Sequence, residues 1–217
     1  MNNVIDCYLW MNSDWAYLGA GRLVDLASRQ AVAVRYLPID LPAVYGRTGG
    51  VLLSLRAPER QAYRKAELQR WCRRIGVHVN TTPRFMCPDA GLASRIVIAA
   101  DCRALPVAAL YKAILQAEWC DDQDISDPET LRRLLLARGL PADELLRLAD
   151  SAAVRDSYQR YTEDAIRAGV FGSPSYVWQG ELFWGQDRLD FLEEAVLASR
   201  TTPARSKPSE HLSIPRA

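Results

Sequence analysis

A proline set among glycines, in the run Gly169-Val170-Phe171-Gly172-Ser173-Pro174-Ser175-Tyr176-Val177, governs the rest of the reading because it opens directly onto a short apolar stretch. Pro174 has no backbone N–H to offer a sheet, so it belongs at the first residue of a strand or on an edge. The glycines on either side of Phe171 allow a sharp entry. Beyond Pro174 the pattern is a hairpin: Tyr176-Val177-Trp178, a Gln179-Gly180 turn, Leu182-Phe183-Trp184, then a helix from about Asp187. The chain therefore ends β-β-α.

Its beginning supplies the other half of a sheet. Val4-Ile5-Asp6-Cys7-Tyr8-Leu9-Trp10 reads as a strand buried on much of both faces, and residues 15–29 read as a helix with Leu18, Leu23 and Leu26 toward the core. Asn12, Ser13 and Asp14 between them are all good N-cap types. Ala33-Val34-Arg35-Tyr36-Leu37 is a second strand closed by Pro38, and a strand, helix and strand of this length form a right-handed parallel crossover. From residue 41 to about 168 the pattern changes to helices punctuated by Pro and Gly. After a loop at 46–50 they are expected at 58–75, 90–104, 106–120, 127–138, 141–150 and 152–168, with a loop at 77–89. The fold class expected is α/β: a thioredoxin-like fold (β-α-β … β-β-α) from residues 1–40 and 169–200, with a large all-helical insertion over 41–168. The tail, 201–217, has three prolines and little apolar content and is expected to be disordered.

Composition narrows the function. Lys+Arg 27 against Asp+Glu 26 leaves a net charge of +1, so no bulk electrostatic argument favours nucleic acid or an anionic membrane. No apolar run is long enough to span a bilayer, and the first residues lack the charged head and apolar core of a signal peptide, which predicts a cytoplasmic protein. The five cysteines, Cys7, Cys72, Cys87, Cys102 and Cys120, form no CxxC pair and no metal-type spacing, so neither a zinc site nor a disulfide framework is expected. Cys72, Cys102 and Cys120 fall in expected helices, where a small buried side chain is the common explanation; Cys87 lies in a loop. His78 is expected in a loop and His211 in the tail, so a Ser-His-Asp hydrolase has no convincing base.

The chemistry is expected at the start of the first helix. A helix N-terminus collects unpaired N–H donors and partial positive charge, which stabilise an anion. Thioredoxin-type proteins place a cysteine thiolate there, whereas this chain has Ser13-Asp14-Trp15-Ala16, with no sulfur. Such a site performs no disulfide exchange of its own. If it retains thiolate chemistry, the sulfur arrives on a ligand, and glutathione is the obvious cytosolic candidate.

Several blocks carry a resemblance: Ser13 followed by Trp15-Ala16-Tyr17-Leu18; Arg64, Leu68 and Trp71; Asp124-Ile125-Ser126-Asp127-Pro128; residues 169–174; and Gly180-Glu181-Leu182-Phe183-Trp184-Gly185-Gln186-Asp187-Arg188. From Val4 to about Ala198 the chain resembles the 2-hydroxychromene-2-carboxylate isomerase family, in the DsbA-like and kappa-class glutathione transferase group. The resemblance implies that the Ser13 hydroxyl hydrogen-bonds the glutathione sulfur and favours its thiolate. It implies that Ser173, before a cis Pro174, pairs its backbone with the cysteinyl part of the tripeptide, and that Gln186 and Asp187 hold the γ-glutamyl end. Trp15, Gly50, Phe85 and Trp184 are the implied substrate contacts, with Trp10 and Tyr17 as further aromatic candidates, although core packing suits Tyr17 better. No metal is implied.

The implied reaction is a reversible cis-trans isomerisation of an aromatic-degradation intermediate. Glutathione adds to 2-hydroxychromene-2-carboxylate, a carbon–carbon bond gains rotational freedom, and elimination gives the trans-benzylidenepyruvate with glutathione regenerated. A homodimer is implied as well. Two alternatives stay open at this point: a kappa-like transferase that consumes glutathione, and a binding module that has lost its chemistry. Ser13 is also a plain N-cap candidate, and Asp187 a cap for the last helix. Asp14 stands where the family usually has proline. Its carboxylate is expected to raise the pKa of a neighbouring thiol unless it points to solvent or meets an arginine.

Overall fold

The computed structural model describes residues 3–201. The expected disorder of 201–217 lies outside them, apart from Thr201, which ends the last helix. β1 (Val4–Leu9), α1 (Asp14–Arg29) and β2 (Ala33–Pro38) form the parallel crossover, and β3 (Ser175–Trp178) and β4 (Glu181–Trp184) form the hairpin. The sheet order is β2-β1-β3-β4, with β1 parallel to β2 and antiparallel to β3. Gln179 and Gly180 both have positive φ, 51° and 90°, which lets a two-residue loop follow the twist of the strands.

Side chains alternate across this sheet, so its register decides which layer each residue meets. Cys7 pairs with Tyr36 on one side and Tyr176 on the other, and Tyr176 pairs with Phe183. That row enters the main core, with α1, α4 (Gly91–Cys102), α5 (Val107–Trp119) and α9 (Leu189–Thr201). The alternate row, Tyr8, Leu37, Val177 and Leu182, meets α2 (Leu41–Thr48) and the end of α8 (Ala152–Arg167) in a smaller cluster. The remaining insertion helices are α3 (Pro58–Ile75), α6 (Pro128–Leu136) and α7 (Ala142–Ala149). The main cluster runs continuously from the sheet into α4 to α7, so sheet and insertion share one core.

Two expectations change. Residues 46–48 belong to α2 rather than to a loop. Asp40 caps the helix by accepting from Ala43 N–H, Pro42 sits in its first turn, and Leu41 and Val44 are buried, which outweighs the helix-weakening Gly46. The helix ends instead at Gly49, whose φ of 77° suits a left-handed cap. Cys102 is exposed at the last residue of α4, so burial does not explain it; Cys72 and Cys120 are half-buried.

α1 reaches the β3 side closely because of Gly19. A Cβ there would lie 2.7 Å from the Tyr176 hydroxyl and 3.1 Å from Gln186 Cβ. From the other flank Tyr111 of α5 donates to Ala16 O at 2.7 Å, holding the first turn of α1 in place.

Candidate functional site

The N-terminus of α1 and the bend before β3 are joined by two hydroxyls. Ser13 is the N-cap, extended at φ −93° and ψ 109°, and its Oγ accepts from Ala16 N–H at 3.1 Å. The same hydroxyl donates to Ser173 O at 3.1 Å, while Ser173 Oγ accepts from Trp10 N–H at 2.8 Å. The Ser173-Pro174 bond is cis. Both serines are buried, so each bond is worth about 1 kcal/mol net and much more as a constraint on position.

Two cavities open on this junction. One, of about 600 Å³, is lined by Ser13, Asp14, Trp10, Asn12 and the loop residues Met86 to Ala90, among others. The second, of about 780 Å³, runs past Trp71, Trp184, Gln186 and Asp187. Trp15, Tyr45, Arg56, Arg64 and Ser173 line both. Gln186 is buried, with its backbone oxygen and Oε1 accepting from Arg22 Nη1 at 2.7 and 2.6 Å. Asp187 lies inside the 3-10 turn Gln186–Arg188 rather than before it, and its carboxylate takes Arg188 Nη1 at 3.0 Å. Trp184 borders only the second cavity, half-exposed and edge-on to Phe171 at 4.7 Å. Gly50 and Phe85 line neither. Gly50 presses on the ring of Tyr45, which does face both cavities, and Phe85 lies under the Arg84 guanidinium at 5.1 Å.

Asp14 is not a free charge beside Ser13. It is buried and forms an ion pair with Arg64 of α3, and its Oδ1 accepts from Trp15 N–H at 2.8 Å. Burial pushes its carboxyl pKa up, and Arg64 and the backbone donors pull against that. Arg64 also lies over the Trp119 ring at 5.4 Å.

Behind this pair is a carboxyl that the sequence reading missed. Glu118 of α5 is fully buried; its Oε1 accepts from Cys87 N–H at 3.1 Å, and Oε2 has no partner among the described residues. Burial, helped by Asp14, raises its pKa to about 9, so it is protonated at neutral pH. The signal was present: Tyr111, Ile114, Leu115 and Glu118 are spaced i, i+3, i+4, i+7, which puts an acid on the apolar stripe of α5. Glu118 and Asn12, whose Nδ2 donates to Pro88 O at 2.6 Å, tether the loop that walls the first cavity.

No protein thiol is poised as a nucleophile here. Burial pushes the Cys72 and Cys120 thiols up, and Cys87, with Glu118 and Asp14 adding to the effect, to about 12. The Cys7 thiol is also raised by burial. Low-pKa thiolates are what disulfide exchange requires. Among the described residues no group of His, Cys, Asp and Glu could hold a metal ion, and no helix is long and apolar enough to cross a membrane.

The sheet, its helical insertion and the cis-proline facing α1 define a DsbA-like thioredoxin protein. Residues 4–197 match the model of the DSBA-like thioredoxin domain. The chain is 33% identical over 199 residues to a 2-hydroxychromene-2-carboxylate isomerase of Sphingobium xenophagum, covering 91% of this chain and all of that one. It is 29% identical over 195 residues to the Pseudomonas putida protein of the same name, covering 89% of this chain and 94% of that one. A solved 2-hydroxychromene-2-carboxylate isomerase superposes with a TM-score of 0.80 at 26% identity, over 91% of this chain and 96% of its own. The chain belongs to the 2-hydroxychromene-2-carboxylate isomerase family of DsbA-like proteins.

Proposed function

We propose that this protein is a glutathione-dependent isomerase interconverting 2-hydroxychromene-2-carboxylate and trans-o-hydroxybenzylidenepyruvate in the degradation of naphthalene-type aromatics. The observation that carries the reading is the Ser13 hydroxyl, held at the mouth of α1 against Ser173 O, where two cavities meet and no protein thiolate competes. The residues fit glutathione on chemical grounds. A hydroxyl and a helix N-terminus stabilise an anionic sulfur, and the second cavity offers both carboxylates and guanidinium groups to a zwitterionic tripeptide. Glutathione, when bound, supplies a thiolate that adds reversibly to the substrate, lets a former double bond rotate, and leaves unchanged.

The protein's part is to hold and to orient. Rotation about the Cβ–Oγ bond of Ser13 redirects its proton from Ser173 O toward a sulfur, while Ala16 N–H still donates to the same oxygen. Ser173 offers backbone to the cysteinyl unit, with the cis Pro174 shaping the bend that presents it, and Gln186 and Asp187 receive the γ-glutamyl end. Arg64 offsets part of the Asp14 charge, so the carboxylate at this position opposes a neighbouring thiolate less than an unpaired one would. Trp10, Trp15 and Tyr45 make an apolar wall for a bicyclic ring. On this reading the protein works in the cytoplasm, where glutathione is kept reduced, and as a homodimer, which sedimentation measures.

The test is conversion of the chromene followed by absorbance, with and without glutathione, and with the thiol assayed afterward. Turnover that needs glutathione and returns all of it is expected, with Ser13→Ala lowering kcat by roughly 100-fold, as for loss of one donor to a developing anion. Stoichiometric loss of thiol would make the protein a transferase instead. A protein whose melting temperature ignores millimolar glutathione has no such site.

A further inference from the structure

Arg64 is the sole buried lysine or arginine among the described residues, and it lines both cavities. Asp14 engages its Nη2, and the Trp119 ring lies 5.4 Å from its guanidinium carbon, so its orientation is set from two sides. Its Nε and Nη1 donate to no acceptor among the described residues, and neither is a fully buried unpartnered atom. A planar fork with unspent donors at a cavity wall is suited to a carboxylate. The other cations on the first cavity are less suited. Arg56 spends Nε on Val51 O and Nη2 on the Tyr45 hydroxyl, and Lys65 is exposed.

Resting on the isomerase reading, we propose that Arg64 is the residue that recognises the carboxylate of the aromatic substrate and orients the ring over Ser13, with Asp14 fixing the fork. A carboxylate could also come from glutathione. That tripeptide carries its carboxylates at its two ends, away from its sulfur, whereas the aromatic acid carries its own beside the ring carbons that change. Arg64, bound to the residue next to Ser13, is at the position the second arrangement needs. Glu118, buried behind it and uncharged at neutral pH, adds no second negative charge to repel the ligand.

The experiment is calorimetric titration of the full-length protein with chromone-2-carboxylate, a stable bicyclic acid, with its carboxamide, and separately with glutathione. The wild type is expected to bind the acid about tenfold or more tightly than the amide, as a charge-assisted hydrogen bond should allow. Asp14→Asn combined with Arg64→Gln, which leaves no lone buried charge, should abolish that preference and lower glutathione affinity by a smaller factor, since Arg64 borders the second cavity as well. Arg64→Lys, which keeps the charge without the fork, should reduce the preference severalfold, and it decides the matter if the double variant does not fold. Equal binding of acid and amide by the wild type, binding of neither, or a preference that survives in both variants would overturn the proposal. So would a loss confined to glutathione, which would assign Arg64 to the tripeptide. A protein that shows the Arg64-dependent preference but no turnover sinks the isomerase reading and keeps the anchor.

Discussion

Two buried polar groupings adjoin at the head of α1, and they are built on opposite principles. The Ser13 and Ser173 hydroxyls are neutral, and each has its partner on the backbone. The Asp14, Arg64 and Glu118 grouping is charged, carries two acids for one cation, and leaves an oxygen of Glu118 without a partner among the described residues. Neutral, satisfied hydroxyls position a segment at little cost and without regard to pH. A buried ion pair costs several kcal/mol per ion in desolvation, is recovered only while both partners remain, and makes stability depend on protonation.

Removing Arg64 alone should break this contrast most severely. Arg64→Met leaves Asp14 charged or forced to protonate in a buried site, and a loss of about 3–5 kcal/mol is expected in urea unfolding. Adding Asp14→Asn to that variant should restore a large part of the loss. Neither serine, replaced by alanine, should cost as much.

Next in size is a pH effect. Glu118 goes from an ordinary 4.5 to about 9 on folding. Below pH about 4.5 both states hold its proton and its contribution is complete. Between there and about 9 only the folded state holds it, so stability falls as pH rises, by up to about 1.4 kcal/mol per unit. Unfolding measured at pH 6 and pH 8 should show a difference approaching about 3 kcal/mol from this group, and Glu118→Gln should flatten it. A Glu118→Gln protein with an unchanged pH slope would mean that the carboxyl is not held neutral.

Smaller effects sharpen the neutral side of the comparison. Gly19→Ala pushes a methyl against the Tyr176 hydroxyl and Gln186 Cβ, and about 1–3 kcal/mol is expected. Because Gln186 borders the second cavity, glutathione affinity by calorimetry should fall with it. Ser13→Ala loses a cap and the bond to Ser173 O, about 1–2 kcal/mol by thermal unfolding, with no change of that cost between pH 6 and pH 8.

Much of the frame was legible along the chain because its signals are local. Short apolar runs at Val4 to Leu9 and in the hairpin, Pro174 at the foot of β3, and the Asp127-Pro128 start of α6 each announce themselves within a few neighbours. So does Ser13 as a cap, since the donors it satisfies lie within the next turn. Gly46 misled for the same reason: as a local breaker it looked decisive, yet the burial of Leu41 and Val44 against distant α8 and β2 kept the helix intact.

What only the folded chain decided are the long-range meetings. A serine at 13 faces a serine at 173 because the parallel crossover and the returning hairpin bring the end of β1 and the start of β3 to the same end of the sheet. Asp14 is paired with a residue 50 positions away, and Glu118 is neutral because the packing around α5 takes it out of water. A side chain's capacity for hydrogen bonding is written in its chemistry. Its charge state depends on how much solvent its neighbours remove, and that is known only once they have packed.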